Sequence, residues 1–194
     1  MAEQPTHASE LAKALEHESE AQRLLLAGEA EAAAVRFRKA ADHYKRSWQL
    51  AAPTSYGRLI GMTKAAILAG GGEEEGRYAL KELEAVEELT PTAAYALSIA
   101  SLAAGLDPEA ARYLAVVERG GPQFERAARA IAAICNRDQP AFEGALKAIV
   151  ADFEARSTHL TGVPIADTAL MFQRLGARRG LSVALSGPVV GAAG

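Results

Sequence analysis

The chain has a single cysteine, Cys135, so no internal disulfide is available and the fold must rest on packing. Aromatic residues make up only 6% of the sequence, which leaves Ala and Leu to supply most of the buried surface. Ala-rich, aromatic-poor sequences favour helices over strands. No segment alternates apolar and polar residues long enough to predict a strand. No apolar run approaches the roughly 18–20 residues that a bilayer span needs. The N-terminal MAEQPTHASELAKALEHESE is polar and lacks the apolar core of a secretory signal. With one unpaired cysteine, this points to the cytoplasm. The net charge of −3 is small and supplies no concentrated cationic face for nucleic acid. GxSxG, HExxH, CxxC and GxGxxG are all missing. Gly70-Gly71-Gly72 is followed by three Glu rather than by a GKS or GKT, so it cannot cradle phosphate in that manner.

What the chain does have is regular punctuation. Pro53, Pro91, Pro108, Pro122, Pro140 and Pro164 each precede a helix-like segment, and Pro suits the first helical turn. Thr90-Pro91 and Asp107-Pro108 each set a side-chain oxygen at a predicted N-cap. Between these marks about nine helices are expected, over 8–27, 30–51, 54–69, 73–89, 91–104, 108–119, 122–136, 140–156 and 164–179. In the second, Val35, Phe37, Ala40, Ala41, Tyr44 and Trp48 recur at helical steps. Connections are short, so consecutive helices should be antiparallel neighbours. Residues 1–180 are read as one all-α domain and 181–194 as an apolar small-residue tail. The tail LSVALSGPVVGAAG carries no charge. It would pack on its own chain, mediate self-association, or remain disordered.

A repeat runs through the helices. Five, nine and twelve residues after Gly28 stand Ala33, Phe37 and Ala40. The same offsets from Gly71 give Gly76, Leu80 and Leu83, from Gly105 give Ala110, Leu114 and Val117, and from Asn136 give Ala141, Ala145 and Ala148. A turn is followed by a small residue and then by two apolar or small residues on one face. Over residues 8–156 this resembles the tetratricopeptide repeat, most closely in LLLAGEAEAAAVRFRKAADHY. The family's other signature residues, on the first helix of each repeat, are mostly absent. The anchors fall 43, 34 and 31 residues apart, where the family's period is about 34, so an irregular array is expected. The resemblance implies antiparallel helix pairs stacked as an α-α superhelix, with the ninth helix capping the last pair. It also implies a peptide-binding face lined by the first helix of each pair. Carried onto this chain, the groove positions are Arg58, Thr92, Tyr95, Gln123 and Arg126, with Glu18 and Gln22 at its start and Leu68, Ile99 and Leu102 on or beside it.

Other residues invite chemistry. In STHLTGVPIADTAL, His159 and Asp167 would serve a metal-dependent hydrolase, with His43 as a further candidate. Two ligands are too few for a zinc site. The competing reading is a helix-turn-helix corner, in which both side chains bond exposed backbone near helix ends, Leu160 and Val163 pack under the turn, and Ile165, Ala169, Phe172 and Leu175 face inward. Arg36, Lys39, His43 and Arg46 share one helix face, which would be solvated or would pair with the acidic fourth helix. Cys135 reads as a small buried hydrophobe, and Trp48, Tyr44 and Tyr56 as a packing cluster. The leading expectation is therefore a protein- or peptide-binding helical module without catalytic activity, cofactor or metal. A dedicated immunity or chaperone-type partner of one client is the alternative beside the hydrolase.

Overall fold

Three helix starts are set by side chains that take up free backbone amides. Thr6 Oγ1 accepts from Ser9 N at 3.1 Å while Ser9 Oγ accepts from Thr6 N at 3.0 Å, a reciprocal cap. Thr90 Oγ1 accepts from Ala93 N, and Asp138 Oδ1 from Ala141 N. The computed structural model describes residues 4–191. Over these it is all-helical: α1 (His7–Leu26), α2 (Ala30–Leu50), α3 (Gly57–Leu68), α4 (Glu73–Glu82), α5 (Pro91–Ala103), α6 (Asp107–Ala111), α7 (Leu114–Val117), a 3-10 turn (Glu118–Gly120), α8 (Pro122–Asn136), α9 (Gln139–Glu154) and α10 (Asp167–Ala177). Helices adjacent in sequence pack as neighbours, most extensively α1 with α2, α2 with α3, α4 with α5 and α8 with α9. The stack continues through α3 on α5 and both α5 and α6 on α8.

Small residues set the close approaches. A Cβ on Gly76 would lie 2.7 Å from the Ala100 carbonyl oxygen and 3.0 Å from Ala103 Cβ, so α4 meets α5 at backbone contact. Ala33, Ala40 and Ala110 are likewise fully buried, but Ala141 and Ala148 in the fourth repeat position are exposed. Of the turn anchors, Gly28 and Gly105 take positive φ, and at the fourth turn the left-handed residue is Arg137, one beyond Asn136. Phe37, Leu59, Met62, Ile99, Ile131, Phe142, Leu146 and Phe172 fill the remaining core, each worth about 1.5–3 kcal/mol of burial.

Several expected helices differ. The sixth breaks into α6, α7 and the 3-10 turn. The Ala110 carbonyl, which a continuous helix would give to Leu114 N–H, instead accepts the buried Ser98 hydroxyl at 3.2 Å. Asp107 does not cap this helix, because its carboxylate is drawn to Arg137 and Arg179. The fourth helix stops at Glu82, leaving Glu84, Glu87 and Glu88 beyond it. Carboxylates are disfavoured at the negative end of a helix. The last helix begins at Asp167 rather than Pro164, since Ala166 N–H donates to Val189 O at 2.7 Å.

That bond belongs to the tail. Leu181, Leu185, Val189 and Val190 are buried. Gln139 exchanges two hydrogen bonds with the Ser182 backbone, and Gln173 Nε2 donates to Val183 O at 2.8 Å. The tail therefore packs on its own chain through residue 191; 192–194 lie outside the described residues. α10 packs against α3, α8 and α9, with Met171, Phe172 and Leu175 buried.

Candidate functional site

Four helices and the turn before the last of them bring polar side chains to one buried point. Lys64 of α3 lies 2.6 Å from Asp167 Oδ2 at the start of α10 and 2.9 Å from Glu18 Oε1 of α1. The Glu18 contact is an ion pair off the line of a hydrogen bond. Tyr44 of α2 donates to the other Glu18 oxygen. Gln22 Nε2 donates to Asp167 Oδ2 at 3.0 Å, and its carbonyl accepts from Thr161 Oγ1. Burial alone would lower the Lys64 pKa, but Asp167, Glu18 and Tyr44 outweigh it and hold the ammonium well above the ordinary lysine range. Burial, reinforced by Glu18, pushes the Tyr44 phenol far up. The cluster holds two carboxylates and one ammonium, so it carries one net negative charge. It forms part of the wall of a cleft of about 170 Å³ completed by Phe153, Arg156, His159 and Leu160.

A second cleft, of about 200 Å³, shares Phe153, Arg156 and Thr168 with the first. Its apolar wall is Ile60, Tyr95, Phe124, Ala127, Ile149 and Phe153. Tyr95 and Phe124 meet edge to face at 5.7 Å, and burial raises the Tyr95 phenol well above its usual pKa. Asp152 is shared by Arg126 and Arg156. Burial would raise the Asp152 pKa, but the two guanidinium groups hold it below the usual range. Arg156 also stacks over the Phe153 ring at 3.7 Å. Two guanidinium groups on one carboxylate leave one net positive charge at this cleft.

The predicted residues divide between these places. Tyr95, Gln123 and Arg126 line the second cleft together. Thr92 is half-buried one turn before Tyr95 and does not reach it. Arg58 stands apart, donating to Ser47 Oγ at 2.8 Å and lying 3.2 Å from His7 Nδ1. Glu18 and Gln22 are held by the chain's own Lys64, Tyr44, Asp167 and Thr161, and Leu68, Ile99 and Leu102 are buried in the core. What the sequence reading missed was Lys64, Asp152 and Arg156. Lys64 was legible only as a cation breaking an apolar helix, GRLIGMTKAAIL, and Asp152-Arg156 as an ordinary four-residue pair.

Of the hydrolase candidates, His159 and Asp167 line the first cleft together. Asp167 is engaged by Lys64 and Gln22 rather than by helix-end backbone. His159 stacks on Phe153 at 6.2 Å with its Nδ1 buried and unbonded. His43 is elsewhere, 2.7 Å from Glu10 and stacked on His17 at 5.4 Å. Among the described residues no three His, Cys, Asp or Glu side chains gather as a metal-binding group. At the corner Val163 is buried but Leu160 is 81% exposed, because the turn closed by Gly162 N–H on His159 O points it outward. Ile165, Ala169, Phe172 and Leu175 do face inward. The basic face of α2 pairs with α1, through Arg36–Glu20 at 2.9 Å and His43–Glu10, rather than with α4. Cys135 is a free, half-buried thiol lying 3.4 Å from Asp107 O. Trp48 stacks on Tyr56 at 6.4 Å.

None of the known family models, curated proteins or solved structures compared with this chain matches it. Among the described residues no helix is long and apolar enough to cross a membrane.

Proposed function

We propose that this protein is a tetratricopeptide-like binding module that acts by holding a short segment of a partner protein, without catalysis. One observation carries the reading: Tyr95 of α5, Gln123 and Arg126 of α8, Arg156 after α9 and Thr168 of α10 converge on one cleft with an apolar wall and a shared-carboxylate guanidinium pair. An apolar side chain of the partner fits against Tyr95, Phe124 and Phe153, and a neighbouring carboxylate against the Arg126–Arg156 pair. The small negative net charge of −3 favours a protein partner over nucleic acid. The compartment that fits best is the cytoplasm.

The test is selection of peptides from a random displayed library on the purified chain, followed by binding measurements on variants. Tyr95→Ala and Arg126→Glu should each weaken a selected peptide by about tenfold or more, the loss of a central contact. Arg58→Glu, outside the cleft, should leave binding unchanged. Equal binding to all three variants, or loss only with Arg58→Glu, removes the reading.

A further inference from the structure

A separate cleft of about 350 Å³ lies at the far end of α10. Arg137, Arg178 and Arg179 line it, beside Asp107, Glu73 and the last turn of α5. Asp107 is fully committed: Arg179 reaches its Oδ1 through Nε at 2.8 Å and through Nη2, and Arg137 reaches its Oδ2 at 2.7 Å. Glu73 is largely exposed and paired with Arg77 on its own helix at 2.9 Å. The α5 carbonyl of Leu102 is taken up by Arg179. Among the described residues Arg178 makes no ion pair with a carboxylate, and it spends one nitrogen on Gly71 O. Its Nε and Nη1, and the Nε and Nη2 of Arg137, have no acceptor among the described residues. Three guanidinium groups thus face one another across a cleft in which a single carboxylate is engaged. Burial and the Arg179 charge depress the Arg178 pKa, against a smaller opposing pull from Glu73.

We propose that this cleft binds a phosphate monoester or free phosphate, held by Arg178 and Arg137 over the Arg179–Asp107 pair. A tetrahedral dianion presents three oxygens to donors that are not coplanar, and it supplies the charge that Asp107 alone does not. Arg179, only 7% exposed, forms the floor and keeps its carboxylate partner. The site shares no lining residue with the Tyr95–Arg126 cleft and stands independently of that reading.

Calorimetric titration of the full chain in a phosphate-free buffer tests it, with inorganic phosphate in one arm and a phosphoserine peptide beside its unphosphorylated form in the other. Saturable one-to-one binding in either arm, absent for the unphosphorylated peptide, is the expected result. The tighter arm identifies whether the source is a free ion or a modified side chain. Arg178→Gln should weaken binding about tenfold and Arg137→Gln/Arg178→Gln should abolish it, with Arg178→Lys retaining part. Circular dichroism checks that the variants remain folded, as both side chains are exposed. No saturable binding up to about 10 mM in either arm, or unchanged binding in the folded double variant, overturns the proposal.

Discussion

Lys64 Nζ sits 2.6 Å from Asp167 Oδ2, which joins α3 to the first residue of α10 across 103 positions of sequence. Lys64 is 15% exposed and also answers Glu18, so its removal strands two carboxylates in a largely buried site. Lys64→Met should cost about 3–5 kcal/mol. Asp167→Asn, which leaves the Glu18 pair in place, should cost about 1–3 kcal/mol. Urea unfolding followed by helical circular dichroism measures both, and Lys64→Met should be the more damaging.

The same cluster sets the alkaline limit. The folded Lys64 pKa is raised above 10.5, so its contribution is complete below that pH and is lost as pH rises through the folded value. Tyr44 acts with the same sign: the unfolded phenol ionises near 10.0 while the folded one stays neutral. Stability should therefore fall steadily above about pH 10, and Tyr44→Phe should flatten part of that fall. Urea midpoints collected from pH 8 to 11 give the slope.

On the acid side the first group to matter is His17. Burial, then His43, Arg36 and Lys39, hold its pKa below 6.5, against a smaller opposing pull from Glu16. A depressed folded pKa gives stability that is present above 6.5 and is lost as pH falls below it, because the unfolded chain takes up the proton first. Glu10, held low chiefly by its hydrogen bonds to His43 and Lys13, adds a second loss below about pH 4.5. His17→Phe should remove the upper part of the slope and leave the lower part, as read from thermal midpoints between pH 7 and pH 4.

Gly76 marks where α4 touches the α5 backbone, and the Ala100 carbonyl cannot swing away as a side-chain tip would. Gly76→Ala should destabilise the fold by about 1–3 kcal/mol through overpacking, although Ala is the better helix former. Gly144→Ala, with open space around its Cβ in mid α9, should stabilise by up to about 1 kcal/mol. Paired melting curves compare the two directly.

The periodicity of small and apolar residues made the all-α class and most helix positions legible in the sequence. Thr90 announces its helix because a cap is a local device. The broken segment after Asp107 was not legible, since its cause is Ser98, a hydroxyl on another helix. Asp167 was visible as a polar residue in an apolar corner, but its partner Lys64 depends on how α10 folds back on α3. The same long-range docking explains the candidate cleft. Counting along a repeat picked out Tyr95, Gln123 and Arg126, which the packed helices bring to one cleft, and Arg58, which the turn before α3 directs to Ser47 and His7.

Hydrogen exchange, with and without a library-selected peptide, tests the binding account most directly. Slowed exchange at the start of α8 (residues 122–127) and around the end of α9 (149–156), with none around 55–58, is the predicted result. Protection confined to the Arg58 region, or none in either cleft-lining segment at saturating peptide, would contradict it.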